Sequence, residues 1–330
     1  MTDLHCTNGD SATALMAEAG IQGVLLPWRD LLHDGPVPGG LNIAALAKQR
    51  STYIAACGWG KQEDIEADFQ KRDQHLANWA AFDQIILWFE HDLYDQLQLI
   101  QILDRFAEQP ESHDRLFIIQ TDDYLGHHTP EQIAARLSQK QPVTQAQLQL
   151  AQQAWVAFTA PTPLPWHQLL QCDTQALPWL RSAIERMLAQ YPSVKNGLNR
   201  SESLLLELIQ AGHHKPGPLF HAYLEQDTPK FMGDAALWLI LQAMNQGKQA
   251  LIHCADETPF TAPTCYPPDA SFKEQQLHLT PLGTLVQAGQ ADWVALNPLD
   301  KWLGGCHLTA NNHWRWDGQQ LVENGKSLET

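Results

Sequence analysis

Ile85, Ile86, Leu87, Trp88 and Phe89 form an unbroken apolar run. Such a run fits a strand buried on both faces, the pattern of a parallel sheet. Glu90, His91 and Asp92 follow at once, and then the period changes. Leu93, Leu97, Ile100, Leu103 and Phe106 recur at helical spacing. The pattern predicts a helix starting near Asp92, a residue type favoured at N-caps. Residues 4–7, 23–27 and 116–119 read as further strands, with helices predicted over 11–19, 43–57 and 65–81. Strands alternating with helices predict an α/β fold, a Rossmann-like parallel sheet over residues 1–142.

Beyond residue 142 the pattern becomes helical. Helices are predicted over 144–158 and 177–190, with a proline-rich turn at 160–165, giving a helical connector over 143–196. Three further helices are predicted over 201–211, 219–225 and 234–245. Two short strands follow at 250–254 and 277–279, and Thr280-Pro281 opens a closing helix. That order predicts a winged-helix-like α+β domain over 197–330. The phrase from Leu279 through Thr280, Pro281 and Leu282 to Gly283 is of the kind that follows the wing in such domains.

Composition narrows the function classes. Charged residues make up 18% and hydrophobic ones 44% of 330 residues, values ordinary for a globular protein. The formal net charge of −16 argues against attraction to nucleic acid or an anionic membrane. Both halves are acidic when the chain is split at Asn196, so no cationic domain is masked. The six cysteines contain no C-x-x-C pair, which argues against a zinc ribbon or a disulfide framework. His127-His128 and His213-His214 are adjacent pairs without the i, i+4 spacing of helical zinc ligands. A cytoplasmic, non-membrane protein without a signal peptide is expected; oligomeric state is left open.

The candidate chemistry sits where predicted strands end. Asn8, Gly9, Asp10 and Ser11 link the first strand to its helix, where a capped turn and a phosphate-binding N-terminus are both open. Arg29, Asp30 and His33 follow the second strand. There an arginine could grip a carboxylate or phosphate, or an Arg–Asp pair could pin the loop. Glu90, His91 and Asp92 follow the third strand, and Asp122 and Asp123 the fourth. Asp92 could equally be only an N-cap, and Asp95 only a favourable first-turn charge.

Several of these phrases resemble a known family. Thr7 through Ser11, Pro27 through Asp30, His33 through Val37, Leu87 through Gln96 and Asp122 through Gly126 are similar to bacterial proteins carrying domain of unknown function number eighteen thirty-five. Pro192 through Leu198 and Trp302 through Gly305 look like the same full-length set. The resemblance implies membership and brings no activity or catalytic residues to carry over.

Two classes of function follow from the residues. An enzyme, hydrolase or transferase, would use Asp10, His33, Glu90, His91 and Asp92 as catalytic groups. Asn8, Gly9, Ser11, Arg29, Asp30, Asp122 and Asp123 would then hold a small, phosphate-containing ligand. The cofactor is left open; Mg²⁺ is a candidate, with Asp10, Glu90 and Asp122 as candidate ligands, because it prefers oxygen donors and accepts some from phosphate. The chemistry would be metal-assisted phosphoryl or nucleotide transfer. The alternatives are a ligand-sensing regulator with a winged helix and a non-catalytic binding or scaffold protein. Residues 234–245 contain no lysine or arginine, with Lys248 just beyond, so DNA binding lacks its main electrostatic drive.

Overall fold

A computed structural model describes residues 2–246, 249–263, 267–323 and 326–327. The chain is mixed α/β, 50% helical, with a five-stranded, mostly parallel sheet. Two compact units divide it: Met1–Ala55, Gly60–Arg186 and Gly304–Cys306 form one, and Ala56–Trp59, Met187–Leu303 and His307–Thr330 the other. Among the described residues no helix is long and apolar enough to cross a membrane.

The first unit contains β1 (Thr2–Thr7), α1 (Asp10–Glu18), β2 (Val24–Pro27), α2 (Ile43–Ala56) and α3 (Gln62–Ala77). Then come β3 (Phe82–Phe89), α4 (Leu93–Ala107), β4 (Leu116–Gln120), α5 (Pro130–Arg136), β5 (Gln141–Pro142) and α6 (Gln145–Phe158). The sheet order is β2-β1-β3-β4-β5. The first four strands run parallel and β5 closes the edge antiparallel. The order reverses between β1 and β3, and open α/β sheets bind ligands at such a reversal, outside the carboxyl ends of the strands.

β3 is the central strand, and its predicted double burial holds. Ile86 and Trp88 pack with Ala12, Met16, Ile119, Leu125 and Ile133. Ile85, Leu87 and Phe89, which alternate to the other face, are equally inaccessible. The Trp88 indole N–H donates to His5 Nδ1 at 3.1 Å, and His5 Nε2 meets the Gln22 carbonyl at 3.1 Å. Burial pulls the His5 pKa down, so the ring remains a neutral link between β1 and β3.

Helix starts are set by side-chain caps. Asp92 caps α4 by accepting from the Asp95 N–H, as the sequence predicts. Thr129 with Gln132 and Thr144 with Gln147 form capping boxes on α5 and α6. Gly9 stands at the N-cap of α1 without a side-chain cap, so neither Asp10 nor Ser11 caps this helix. α6 packs on α4, placing residues 145–158 in the first unit.

The second unit has α7 (Arg200–Gln210), α8 (Pro216–Gln226) and α9 (Asp234–Asn245). The antiparallel ribbon β6 (Ile252–Cys254) and β7 (Leu277–Leu279) follows, then α10 (Pro281–Gln287), capped by Thr280. The predicted order of three helices, a ribbon and a closing helix is therefore present. Lys248 and Cys265 lie outside the described residues.

The loop after β2 is fixed by a buried ion pair. Arg50 Nε donates to Asp30 Oδ1 at 2.9 Å, and the guanidinium also donates to the carbonyls of Leu31 and Asp34. Both charged side chains are essentially inaccessible. Removing Arg50 leaves Asp30 buried with only the more distant Arg72 guanidinium, at 3.9 Å, to offset it. Arg50→Ala is expected to lower stability by about 3–5 kcal/mol in urea unfolding. A loss below about 1 kcal/mol would show that water reaches Asp30 and that the pair does not hold the loop.

Candidate functional site

β1 and β3 end side by side at the reversal of strand order, and their connections carry Asn8, Gly9, Glu90, His91 and Asp92. α4 begins so soon after β3 that its first turn faces back to the strand end. The geometry follows from Asp92 and Asp95, three residues apart at the N-cap and third helical position. Asp92 Oδ1 accepts from the Asp95 N–H at 3.0 Å. Asp95 then reaches backward: Oδ1 accepts from the Glu90 N–H at 2.6 Å, and Oδ2 from Asn8 Nδ2 at 2.8 Å. One carboxyl thus ties the ends of β1 and β3 to α4.

Glu90 is held in the same way. Its Oε1 accepts from the Leu125 N–H at 2.7 Å, and its carbonyl accepts from Gln96 Nε2 at 2.7 Å. Tyr94 donates its hydroxyl to the Asn8 carbonyl at 3.1 Å. Carboxylate oxygens of Glu90, Asp92 and Asp95 lie within 4.8 Å of one another. All three residues are buried, at 5%, 4% and 0% exposure. Among the described residues they are the one group of three with metal-ligand spacing, and no lysine or arginine forms an ion pair with them.

Burial without a cation dictates their charge. Desolvation, reinforced by Asp95, pushes the Glu90 carboxyl up to about 8. Desolvation, with Glu90 beside it, pushes Asp92 up to about 8. Desolvation and the Asp92 carboxylate hold Asp95 well above the ordinary carboxylate range. The three cannot all be ionised at neutral pH, and protons or a cation must compensate them. Three buried polar atoms on residues of the same strand ends and of α4, Thr7 Oγ1, His91 Nδ1 and Gln96 Oε1, have no hydrogen-bond partner among the described residues.

His91 follows Glu90 at the strand end. Burial lowers its pKa, so it is a neutral base at pH 7 while Glu90 retains its proton. Its ring lies 5.0 Å from Tyr124 and 6.4 Å from Trp179. Asp122 and Asp123 are exposed at the end of β4. They act on His91 through charge, and Asp123 approaches His128 at 3.6 Å.

Other sequence candidates stand apart from the buried carboxyls. Asp10 was expected beside Glu90 as a metal ligand, but its carboxylate is 68% exposed and bound by Arg29 at 2.6 Å. Arg29 also holds Asp68 at 2.7 Å. Its backbone adopts a φ of 56°, a left-handed conformation rare for a non-glycine residue. Asp30 pairs with Arg50 and not with its neighbour Arg29, which turns to Asp10 and Asp68. Burial pushes the His33 pKa down to about 4. His33 meets Tyr94 edge-on at 6.0 Å, one side chain removed from Asn8. Ser11 is exposed in the first turn of α1. Gly9 has a φ of −172°, which any residue adopts, and a methyl there would meet no protein atom within 4 Å.

Asp95 is the residue that sequence reasoning missed. Its signal was the D-x-x-D spacing directly after a strand ending in Glu90, which turns a third-position side chain back onto the strand end. No protein-family model matches the chain, and no curated protein matches it.

The raised Glu90 pKa has a definite sign in folding. Between the ordinary 4.5 and about 8 the folded protein binds more protons than the unfolded chain. Stability from this group is therefore full below the lower value and is lost as pH rises through the upper one. Glu90→Gln, neutral at every pH, is expected to be more stable than wild type at pH 9, by on the order of 3 kcal/mol, with the gap closing toward pH 5. Urea unfolding across that range measures it. Parallel stability curves for the two proteins would place the Glu90 titration elsewhere.

Proposed function

We propose that the first unit is a Rossmann-like enzyme domain that binds a phosphate-bearing small molecule at the reversal of strand order. Mg²⁺ would be held by Glu90 and Asp92. The observation that carries this reading is a buried group of three carboxyls that, among the described residues, has no cationic side chain paired with it. Mg²⁺ takes one or two protein carboxylates and fills its remaining positions with water and phosphate oxygens. The donor set fits: Asp95 has both oxygens committed to Asn8 and Glu90 N–H groups, which leaves Glu90 and Asp92 as the ligands it positions. Bound Mg²⁺ would supply electrophilic activation of a phosphoryl oxygen.

The phosphate belongs on the amino end of α1. Its first-turn N–H groups have no side-chain cap, and Gly9 leaves open space above them. Arg29 stands at the neighbouring strand end, where its Asp10 contact is partly exposed and exchangeable for a ligand anion. His91, kept neutral by burial, is the base for an attacking water or hydroxyl. The reaction class is phosphoryl or nucleotidyl transfer or hydrolysis. For the second unit we propose a winged-helix-like module that packs or contacts protein. α9, the helix that would enter a DNA groove, carries no lysine or arginine. Family membership in the set resembled above belongs to the same proposal.

Mg²⁺ with inorganic pyrophosphate is expected to raise the melting temperature of the wild-type chain. At one hundred times the dissociation constant the gain is about 2.7 kcal/mol. Glu90→Gln and Asp92→Asn should each lose at least tenfold in Mg²⁺ affinity, and Gly9→Val should lose the pyrophosphate increment alone. An equal Mg²⁺ effect in wild type and Glu90→Gln would remove the carboxyls from the cation site.

A further inference from the structure

The second unit brings together three histidines that are distant in sequence. His253 on β6 and His278 on β7 are directly opposite one another in the antiparallel ribbon. Their rings lie 5.8 Å apart. His214, at the start of the segment leading into α8, lies on the other side of His278 with a ring separation of 4.4 Å. Backbone bonds hold it there: the Leu277 N–H donates to the His214 carbonyl at 2.9 Å, and His214 Nδ1 bonds the Leu277 carbonyl at 2.8 Å. The three imidazoles thus form a row across the ribbon and the segment bonded to its edge, with His278 in contact with both of the others.

We propose that His214, His253 and His278 form a binding site for a borderline divalent transition ion of the Zn²⁺ or Ni²⁺ class, separate from the carboxyls of the first unit. Three features carry it. First, directly opposite residues of an antiparallel pair hold their Cβ atoms about 4.5–5.5 Å apart, and two imidazoles so placed can turn to share one ion. Second, His214 Nδ1 is committed to a backbone carbonyl, and His253 Nδ1 meets the Cys254 carbonyl at 3.1 Å. Such bonds orient metal-ligating imidazoles and leave Nε2 as the ligand atom. Third, His253 is exposed and His214 and His278 are half-buried, so the ring edges can rotate to meet an ion arriving from solvent.

The surrounding charges leave the row available. Lys215 is occupied by Glu274 at 2.5 Å, and Asp256 turns to the Thr258 N–H and hydroxyl. Imidazole donors select Zn²⁺, Ni²⁺ or Cu²⁺ over Mg²⁺, which prefers oxygen. In the row as it stands the nitrogens are not gathered around one point, so binding draws the rings together. It would thereby clip the segment preceding α8 to the ribbon, which is a regulatory role for a metal outside the catalytic unit. Sequence spacing argues against zinc at His213-His214 because it sees only neighbours along the chain. The ribbon supplies the other two ligands.

The test uses the full-length chain, titrated with Zn²⁺ and Ni²⁺ by calorimetry while histidine ring signals are followed by ¹H–¹⁵N NMR. One equivalent of metal is expected to shift the His214, His253 and His278 signals selectively. H278Q should weaken binding at least tenfold, and Mg²⁺ should leave these signals in place. H253Q alters an exposed side chain and keeps the test open if H278Q fails to fold; it too should weaken binding by tenfold. Affinities within twofold of wild type in H253Q or H278Q, or shifts centred on other histidines or cysteines, would overturn the proposal. Because Glu90→Gln leaves this site intact, its Zn²⁺ affinity should match wild type.

Discussion

The Asp95 carboxyl is the interaction on which the geometry of the candidate site depends. It accepts from the backbone of Glu90 and from the side chain of Asn8, joining two strand ends across the point where the sheet reverses direction. Hydrogen bonds to a carboxylate are among the stronger ones a protein makes, and here the one from Glu90 is buried and the one from Asn8 half-buried. The cost is electrostatic. Bringing Asp95 into the interior places it beside Asp92 and Glu90, and among the described residues no arginine or lysine forms an ion pair with them. Protons must reside among the three, or a cation must replace those protons. A fold that needed only a helix cap would have no reason to gather three such groups.

The same region shows how charges with a purely architectural role look. Asp30 and Arg50 are equally buried, but each compensates the other, and the remaining guanidinium N–H groups are spent on carbonyls. Arg72 stacks on Trp28 at 4.2 Å and bonds Asp73, which Arg105 also contacts at 2.6 Å. Those groups are paired in charge as they stand. Glu90, Asp92 and Asp95 are hydrogen-bonded yet uncompensated in charge, and that difference separates a candidate site from a structural pin.

Much of this architecture was legible in the residues. The apolar run at 85–89 identified the central strand because burial on both faces leaves no polar position to alternate. Asp92, Thr144 and Thr280 were readable as helix starts because capping is local chemistry. Side-chain pairings across the chain were not. Asp10 follows β1 as closely as Glu90 follows β3, and only the fold shows that Arg29 draws it toward solvent while Glu90 turns inward to the Leu125 N–H. Asp95 looked like a first-turn charge because sequence shows position on a helix but not what lies behind it. The histidine row was invisible for the same reason: its members meet through strand register, which spacing along the chain does not encode.

The account rests on protons held among buried carboxyls until a cation takes their place. Infrared difference spectroscopy in heavy water reads this directly, through the carbonyl band of a protonated carboxylic acid. At pH 7 the metal-free protein should show that band, diminished in Glu90→Gln, and added Mg²⁺ should abolish it while carboxylate absorption grows. A metal-free protein with no protonated-carboxyl band at pH 7, or a band that saturating Mg²⁺ leaves unchanged, would contradict the account.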